Sequence, residues 1–283
     1  MEMINVSDIP EDKEILKFIA DKGMFFDKQN NVGNFIFEEF DYPEYNQLLQ
    51  SVKKTEEIVT VDSWKMNDRE SKSYKGFSLT YNPDYTGSNG VYHQTLGDGR
   101  ITNNYSRSVG SDNFKSIKNS YWDTYGFRNR HGIIEEQFGN LFSSIEGAII
   151  RSRVAYLYSE NVNPDDKKAG WHIDELQHTM LRYIIPVKTT DNFILEMHGD
   201  DGFGNSASFT KTLTLGKAYC WNNRIPHRIQ VVDKKPLEDP RINVIVGFSP
   251  WFNYDKEHDS FYPNQNYGKT VEEIVKGKLF LKD

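Results

Sequence analysis

From residue 148 onward the chain is cut into short β-branched and aromatic segments with no room for helices between them. AIIRSRVAYLY (148–158), LRYIIPVKT (181–189), NFILEMH (192–198), SFTKTLTL (208–215), KAYCW (217–221), HRIQVV (227–232) and RINVIVGF (241–248) follow one another. Breaks such as TTD, GDDGFGN, NNRIP and DKKPLEDP separate most of them. With WHID (171–174) this makes eight short strands in about a hundred residues. Parallel strands need long crossovers, so strands this closely spaced must pair antiparallel, in a sandwich or barrel. A jelly roll is the natural arrangement.

The residues before this block read differently. Segments 11–26 and 43–58 each place apolar residues on one helical face, and the second opens with Pro43 at a helix start. Residues 130–147 make a third amphipathic segment, and 84–112 are rich in Gly, Asn, Asp and Ser, as loops are. The expected architecture is mainly β with helical additions. A helical and loop region, 1–147, packs on the core and shapes the substrate pocket; the catalytic β-core is 148–252; a tail, 253–283, carries a short helix near TVEEIVKG.

Charge and cysteine content narrow the chemistry. The net charge is −7, the wrong sign for a chain that grips phosphates, so no nucleic-acid partner is expected. The single cysteine, Cys220, excludes an internal disulfide and any multi-cysteine metal site, and is expected to be a buried structural thiol. No apolar run approaches the ~20 residues of a membrane span. The acidic opening MEMINVSDIPEDKEI lacks the basic-then-apolar pattern of a secretory signal. A cytoplasmic protein with no membrane partner is the expectation.

The chemistry-bearing pattern is His172-Ile173-Asp174 with His227. On a strand, residues two apart share a face, so His172 and Asp174 could hold one metal ion together. With His227, 55 residues on, they would make the two-histidine, one-carboxylate triad of non-haem Fe(II) oxygenases. The tripeptide is weakly specific, since about half of one H-x-D is expected by chance in this chain. A second one exists, His198-Gly199-Asp200. It lies in MHGDDGFGN, whose composition predicts a hairpin turn where period-two facing fails, and only two predicted strands separate it from His227, against four for His172. Arg241 opens RINVIVGFSP, a strand apolar enough to be buried. A buried guanidinium needs a carboxylate, either from a bound dicarboxylic acid or from a strand-edge Asp or Glu.

H-x-D, then LRYIIPV, then NNRIPHRI, then an Arg-led apolar strand resembles the Fe(II)/2-oxoglutarate-dependent oxygenase superfamily over roughly residues 150–252. The most similar branch is that of the aspartyl/asparaginyl β-hydroxylases and proline hydroxylases. The resemblance implies a double-stranded β-helix core, with His172, Asp174 and His227 as catalytic iron ligands and Arg241 as the 2-oxoglutarate anchor. It implies Arg182 near the co-substrate, O2 as oxidant, and hydroxylation of a small-molecule or peptide-like substrate with release of succinate and CO2. That branch often has His two residues beyond the Arg182 position; here Ile184 stands there. A cupin-like metal-dependent isomerase or hydrolase, and a non-catalytic β-barrel binding module, are the alternatives.

Lesser candidates have plainer roles. Turn chemistry accounts for Asn222 and Asn223, and surface positions are expected for His178, Arg128 and Arg130. Of Tyr156 and Tyr158, one is expected to face the pocket while the other packs.

Overall fold

The computed structural model describes residues 4–5, 37–59, 61–66, 69–81, 127–158, 171, 180–200, 206–221, 226–232, 240–267, 269 and 273–274. The helix expected at 11–26, the loops at 84–112, residues 172–174 of the WHID strand with His172 and Asp174, and His178, Asn222 and Asn223 lie outside the described residues.

In chain order the strands are β1 (Ile4–Asn5), β2 (Phe37–Asp41), β3 (Asp62–Met66), β4 (Arg69–Ser78), β5 (Ala148–Ile149), β6 (Arg153–Leu157) and β7 (Leu181–Lys188). They continue as β8 (Phe193–Asp200), β9 (Ser206–Thr212), β10 (Lys217–Trp221), β11 (His227–Val231), β12 (Arg241–Ser249), β13 (Phe252–Asp255) and β14 (Ser260–Pro263). Among the described residues the two complete helices are α1 (Tyr45–Glu56) and α2 (Gly132–Ser143). The protein is mainly β, and every strand pair described is antiparallel.

The large sheet runs β2-β10-β7-β12-β6-β4-β3, with β5 also paired to β12. Strands β2, β3 and β4 belong to the region expected to be helices and loops, so the sheet draws on both halves of the chain. Their sequences, FEEFD, DSWKM and RESKSYKGFS, carry too many charges to read as strands. They form because neighbouring strands offer edges to pair with: β2 lies along β10, and β4 along β6. A smaller sheet runs β11-β8-β9, and a third joins β1 to the β13–β14 hairpin. That hairpin occupies the start of the expected tail.

Both faces of the large sheet are buried, which explains why β7 is apolar almost throughout. Tyr183, Ile185 and Val187 of β7, with Val244, Val246 and Phe248 of β12, point to one face. There they meet Leu48 and Val52 of α1 and Ile134, Phe138 and Leu141 of α2, spaced one helical turn apart. The alternate residues Ile184 and Ile245 point the other way, packing with Leu195 and Met197 of the small sheet. The two sheets therefore face one another across a second core.

Two local devices fit the centre of the large sheet together. Pro186 sits in central β7, where it cannot donate to the ladder, and the β7–β12 register shifts beside it, between Ile242 and Asn243. Gly247 of β12 is packed so closely that a Cβ would fall 2.3 Å from the Ile150 carbonyl oxygen.

Arg128 and Arg130 are not surface residues. Arg128 is buried and donates from Nε and Nη2 to the two carboxylate oxygens of Asp259, each at 2.5 Å. Arg130 is half-buried, paired to Glu135 at 2.7 Å and set over the Phe142 ring. Cys220 is buried, and burial pushes its thiol up to about 12.

Candidate active site

Between the facing sheets lies a cavity of about 120 Å³. Its polar lining includes Arg153, Arg182, His227, Arg241 and Asn243; its walls include Ile184, Leu195, Ile229 and Ile245. Three sequence candidates, His227, Arg182 and Arg241, thus come together from three different strands. All three are buried.

Strand register shows how they are spaced. Arg241 pairs with Leu157 of β6, which in turn pairs with Tyr74 of β4, and the Arg241 guanidinium lies over the Phe193 ring. Arg182 pairs with Gly247, six residues along β12 from Arg241, or about 20 Å at ~3.3 Å per residue. His227 pairs with Met197 of β8, four residues, or roughly 13 Å, from Phe193. The His227 ring meets Trp221 edge-on at 6.3 Å between centroids. Trp221 is two residues beyond Tyr219, which pairs with Ile184, so it belongs to the Arg182 end. The cavity is therefore polarised. Arg182, Trp221 and His227 stand at one end, and Arg241 with Phe193 and Tyr74 at the other.

Arg241 is buried, and its Nε meets no hydrogen-bond acceptor among the described residues. Among the described residues no carboxylate pairs with it. Burial pulls its pKa down to about 10, against a smaller opposing effect of Tyr74 and Tyr219. Of the two partners the sequence left open for this guanidinium, a strand-edge acid is absent among the described residues.

His198 is a correction. The segment expected to be a turn is strand, since β8 runs to Asp200 and pairs with β9 as far as Asp200–Ser206. His198 nevertheless stays out of the cavity, for a different reason. Leu195 and Met197 face inward, so His198 falls on the outer face, exposed, with Nδ1 3.1 Å from Ser208 Oγ and its ring edge-on to Trp171. Trp171, the residue before His172, also lies over Arg228, the residue after His227, at 4.6 Å.

Arg153, Tyr74, Trp221 and Asn243 line the cavity without having been singled out from sequence. Asn243 had a usable signal, being two residues after Arg241 on a strand. Tyr74 had none, because β4 does not read as a strand. Tyr156 borders the cavity but spends its hydroxyl on Glu56 of α1, to which it donates a hydrogen bond. A larger groove of about 510 Å³, bounded by α1 and the ends of β6 and β7, contains Lys53, Glu56 and Tyr158 but no histidine. The chemistry-bearing side chains are in the smaller cavity.

No protein-family model matches the chain, and no curated protein matches it. Among solved structures it is similar to an oxidoreductase of the 2OG-Fe(II) oxygenase family from Burkholderia pseudomallei, at 9% identity, over 76% of this chain and 84% of that one, with a TM-score of 0.39. A Pseudomonas putida prolyl-4-hydroxylase matches at 9% identity over 76% and 93%, TM-score 0.34. The non-heme alpha ketoglutarate dependent epimerase SnoN from nogalamycin biosynthesis matches at 9% over 84% of each chain, TM-score 0.39. Likeness this slight transfers neither fold nor activity.

Proposed function

We propose that this chain is an Fe(II)- and 2-oxoglutarate-dependent dioxygenase that hydroxylates a C–H bond of a small-molecule or peptide-like substrate, releasing succinate and CO2. The core, 148–252, would be a double-stranded β-helix, with 1–147 shaping the substrate pocket and 253–283 as a tail. The branch it most resembles is that of the aspartyl/asparaginyl and proline hydroxylases, and its expected location is cytoplasmic. One observation carries the proposal: a buried guanidinium with no carboxylate partner among the described residues, Arg241, shares a cavity with a buried imidazole, His227, at its opposite end.

That arrangement fits a short dicarboxylic keto acid. Arg241 would take the distal carboxylate, and Arg182 would sit near the keto-acid end. His227 would hold the iron with His172 and Asp174. Iron with 2-oxoglutarate and O2 would supply the oxidising power for hydroxylation. The protein supplies charge at both ends, and Ile184, Leu195, Ile229 and Ile245 give the cavity largely apolar walls. Buried among them, the pull of Arg241 on a carboxylate is stronger than in water.

The test is succinate formation from 2-oxoglutarate by the Fe(II)-loaded protein, first without and then with a panel of amino acids, peptides and small metabolites. Substrate-stimulated succinate is the expected result. No binding of 2-oxoglutarate beside Fe(II) would overturn the proposal, and would favour a cupin-like isomerase, a hydrolase or a non-catalytic binding module.

A further inference from the structure

The larger groove, of about 510 Å³, has the size of a small-molecule site and lies on the helix-covered face of the large sheet, away from the candidate active site. Asn46, Leu49, Lys53 and Glu56 form one wall; spaced three and four residues apart, they make a single stripe of α1. Along that stripe the groove changes character. Its first part is lined by Tyr45, Leu49 and Leu215, which is 41% exposed although large and apolar. Leu215 belongs to this end because a Cβ on the next residue, Gly216, would stand 3.9 Å from the Tyr45 ring. The other end is polar. There Glu56 accepts a hydrogen bond from the Tyr156 hydroxyl, and Ile242 of β12 pairs with Tyr156 on one side and Lys188 on the other. From Tyr45 to Lys53 the helix rises about 12 Å.

The chain as a whole is acidic, with a net charge of −7, yet this groove is lined by two lysines, Lys53 and Lys188, against one acid, Glu56. Burial, with Glu56 nearby, raises the pKa of Tyr158, so its hydroxyl stays protonated and can donate to an anion. We propose that the groove is a second binding site, for a medium-chain alkyl carboxylate, with the head group at Lys53 and Lys188 and the tail along Leu49 toward Tyr45 and Leu215. The tail would cover apolar surface that is otherwise left in water, which supplies the driving force. The lysines supply the preference for an anion over a neutral molecule of the same length. The proposal does not depend on the oxygenase reading, because the groove shares neither the histidine nor the arginines of the smaller cavity.

The experiment is calorimetry on the full chain, titrated with octanoate and with octan-1-ol, which has the same tail and no charge. Octanoate should bind more tightly, and its advantage should shrink as salt screens the lysines. Lys53→Ala and Lys188→Ala should each weaken octanoate roughly two- to fivefold, the worth of one partly exposed charge pair, and leave octan-1-ol unchanged. Lys53→Arg, which keeps the charge, should bind octanoate as wild type does, and guards against a folding defect in the alanine variant. Leu215→Asn should weaken both ligands alike. Equal affinity for the two ligands would overturn the proposal, as would wild-type protein that binds no octanoate, the result expected if another part of the chain fills the groove. Octanoate affinity that is lost in Arg241→Ala and kept in both lysine variants would also overturn it, by assigning the acid to the smaller cavity.

Discussion

The guanidinium carbon of Arg241 lies 6.0 Å from the centroid of the Phe193 ring, one residue from the large sheet and one from the small. A cation over a ring recovers about 0.5–2 kcal/mol. Removing a charge from water costs several kcal/mol even after relaxation, so the ring alone does not offset the burial. Phe193 orients the guanidinium; in the proposed function the distal carboxylate of 2-oxoglutarate would complete the balance.

Arg241→Ala should therefore weaken 2-oxoglutarate binding by roughly 30-fold or more, from the ~2–5 kcal/mol lost when a buried charged hydrogen-bonding partner is truncated. Iron affinity should change little. Arg241→Lys should recover only part of the loss, because an ammonium lacks the planar fork. Calorimetry with the iron-loaded protein checks both. If the preference for the distal carboxylate instead vanishes in Arg182→Ala and survives in Arg241→Ala, the anchor is Arg182.

Metal occupancy separates the two H-x-D candidates. His172→Ala, Asp174→Ala and His227→Ala should each abolish tight Fe(II) binding while circular dichroism shows the fold intact, since two ligands hold the ion poorly against water. His198→Ala should keep full occupancy because that ring is on the outer face of β8. Metal analysis after dialysis reads all four, and iron loss in His198→Ala would assign the site to the wrong tripeptide.

Acid stability should carry a signature of Asp259. Its carboxyl is held below the usual carboxylate range, chiefly by the Arg128 hydrogen bond and further by the Tyr254 hydroxyl, which donates to it at 2.6 Å. A depressed folded-state pKa gives stability that is complete above the unfolded value of about 3.9 and is lost as pH falls through the folded one. Asp259→Asn should cost about 2 kcal/mol at pH 7, as for one hydrogen bond to a charged group, because the carboxylate is half-exposed and screened. Urea unfolding from pH 7 to pH 3 should show the difference from wild type shrinking below pH 4.

Gly247→Ala should destabilise the protein by at least ~1–3 kcal/mol, the usual cost of overpacking a core. The new methyl group would meet Met180 Cε at 2.2 Å, which can move, and the Ile150 carbonyl at 2.3 Å, which is backbone and cannot easily do so. Thermal unfolding measures this, with a fall of several degrees in Tm expected.

What the sequence determined by itself was whatever a local pattern can encode. The segments at 181–189, 217–221, 227–232 and 241–248 were legible as strands because burial on one or both faces demands apolar, β-branched residues at period two. The helices at 45–56 and 132–143 were legible from their apolar faces. Arg241 stood out because a charge leads a strand that is otherwise apolar. Tertiary structure alone decided the rest. Strands β2 and β4 have polar sequences and exist because another strand's edge is beside them. Arg128 looked like a surface residue until Asp259, 131 positions away, supplied its partner. His198 was excluded by sequence for a turn that is not there, and by structure because period-two alternation points it outward. Contacts between residues far apart in the chain leave no periodicity in the sequence, so only the register of the folded sheets could reveal them.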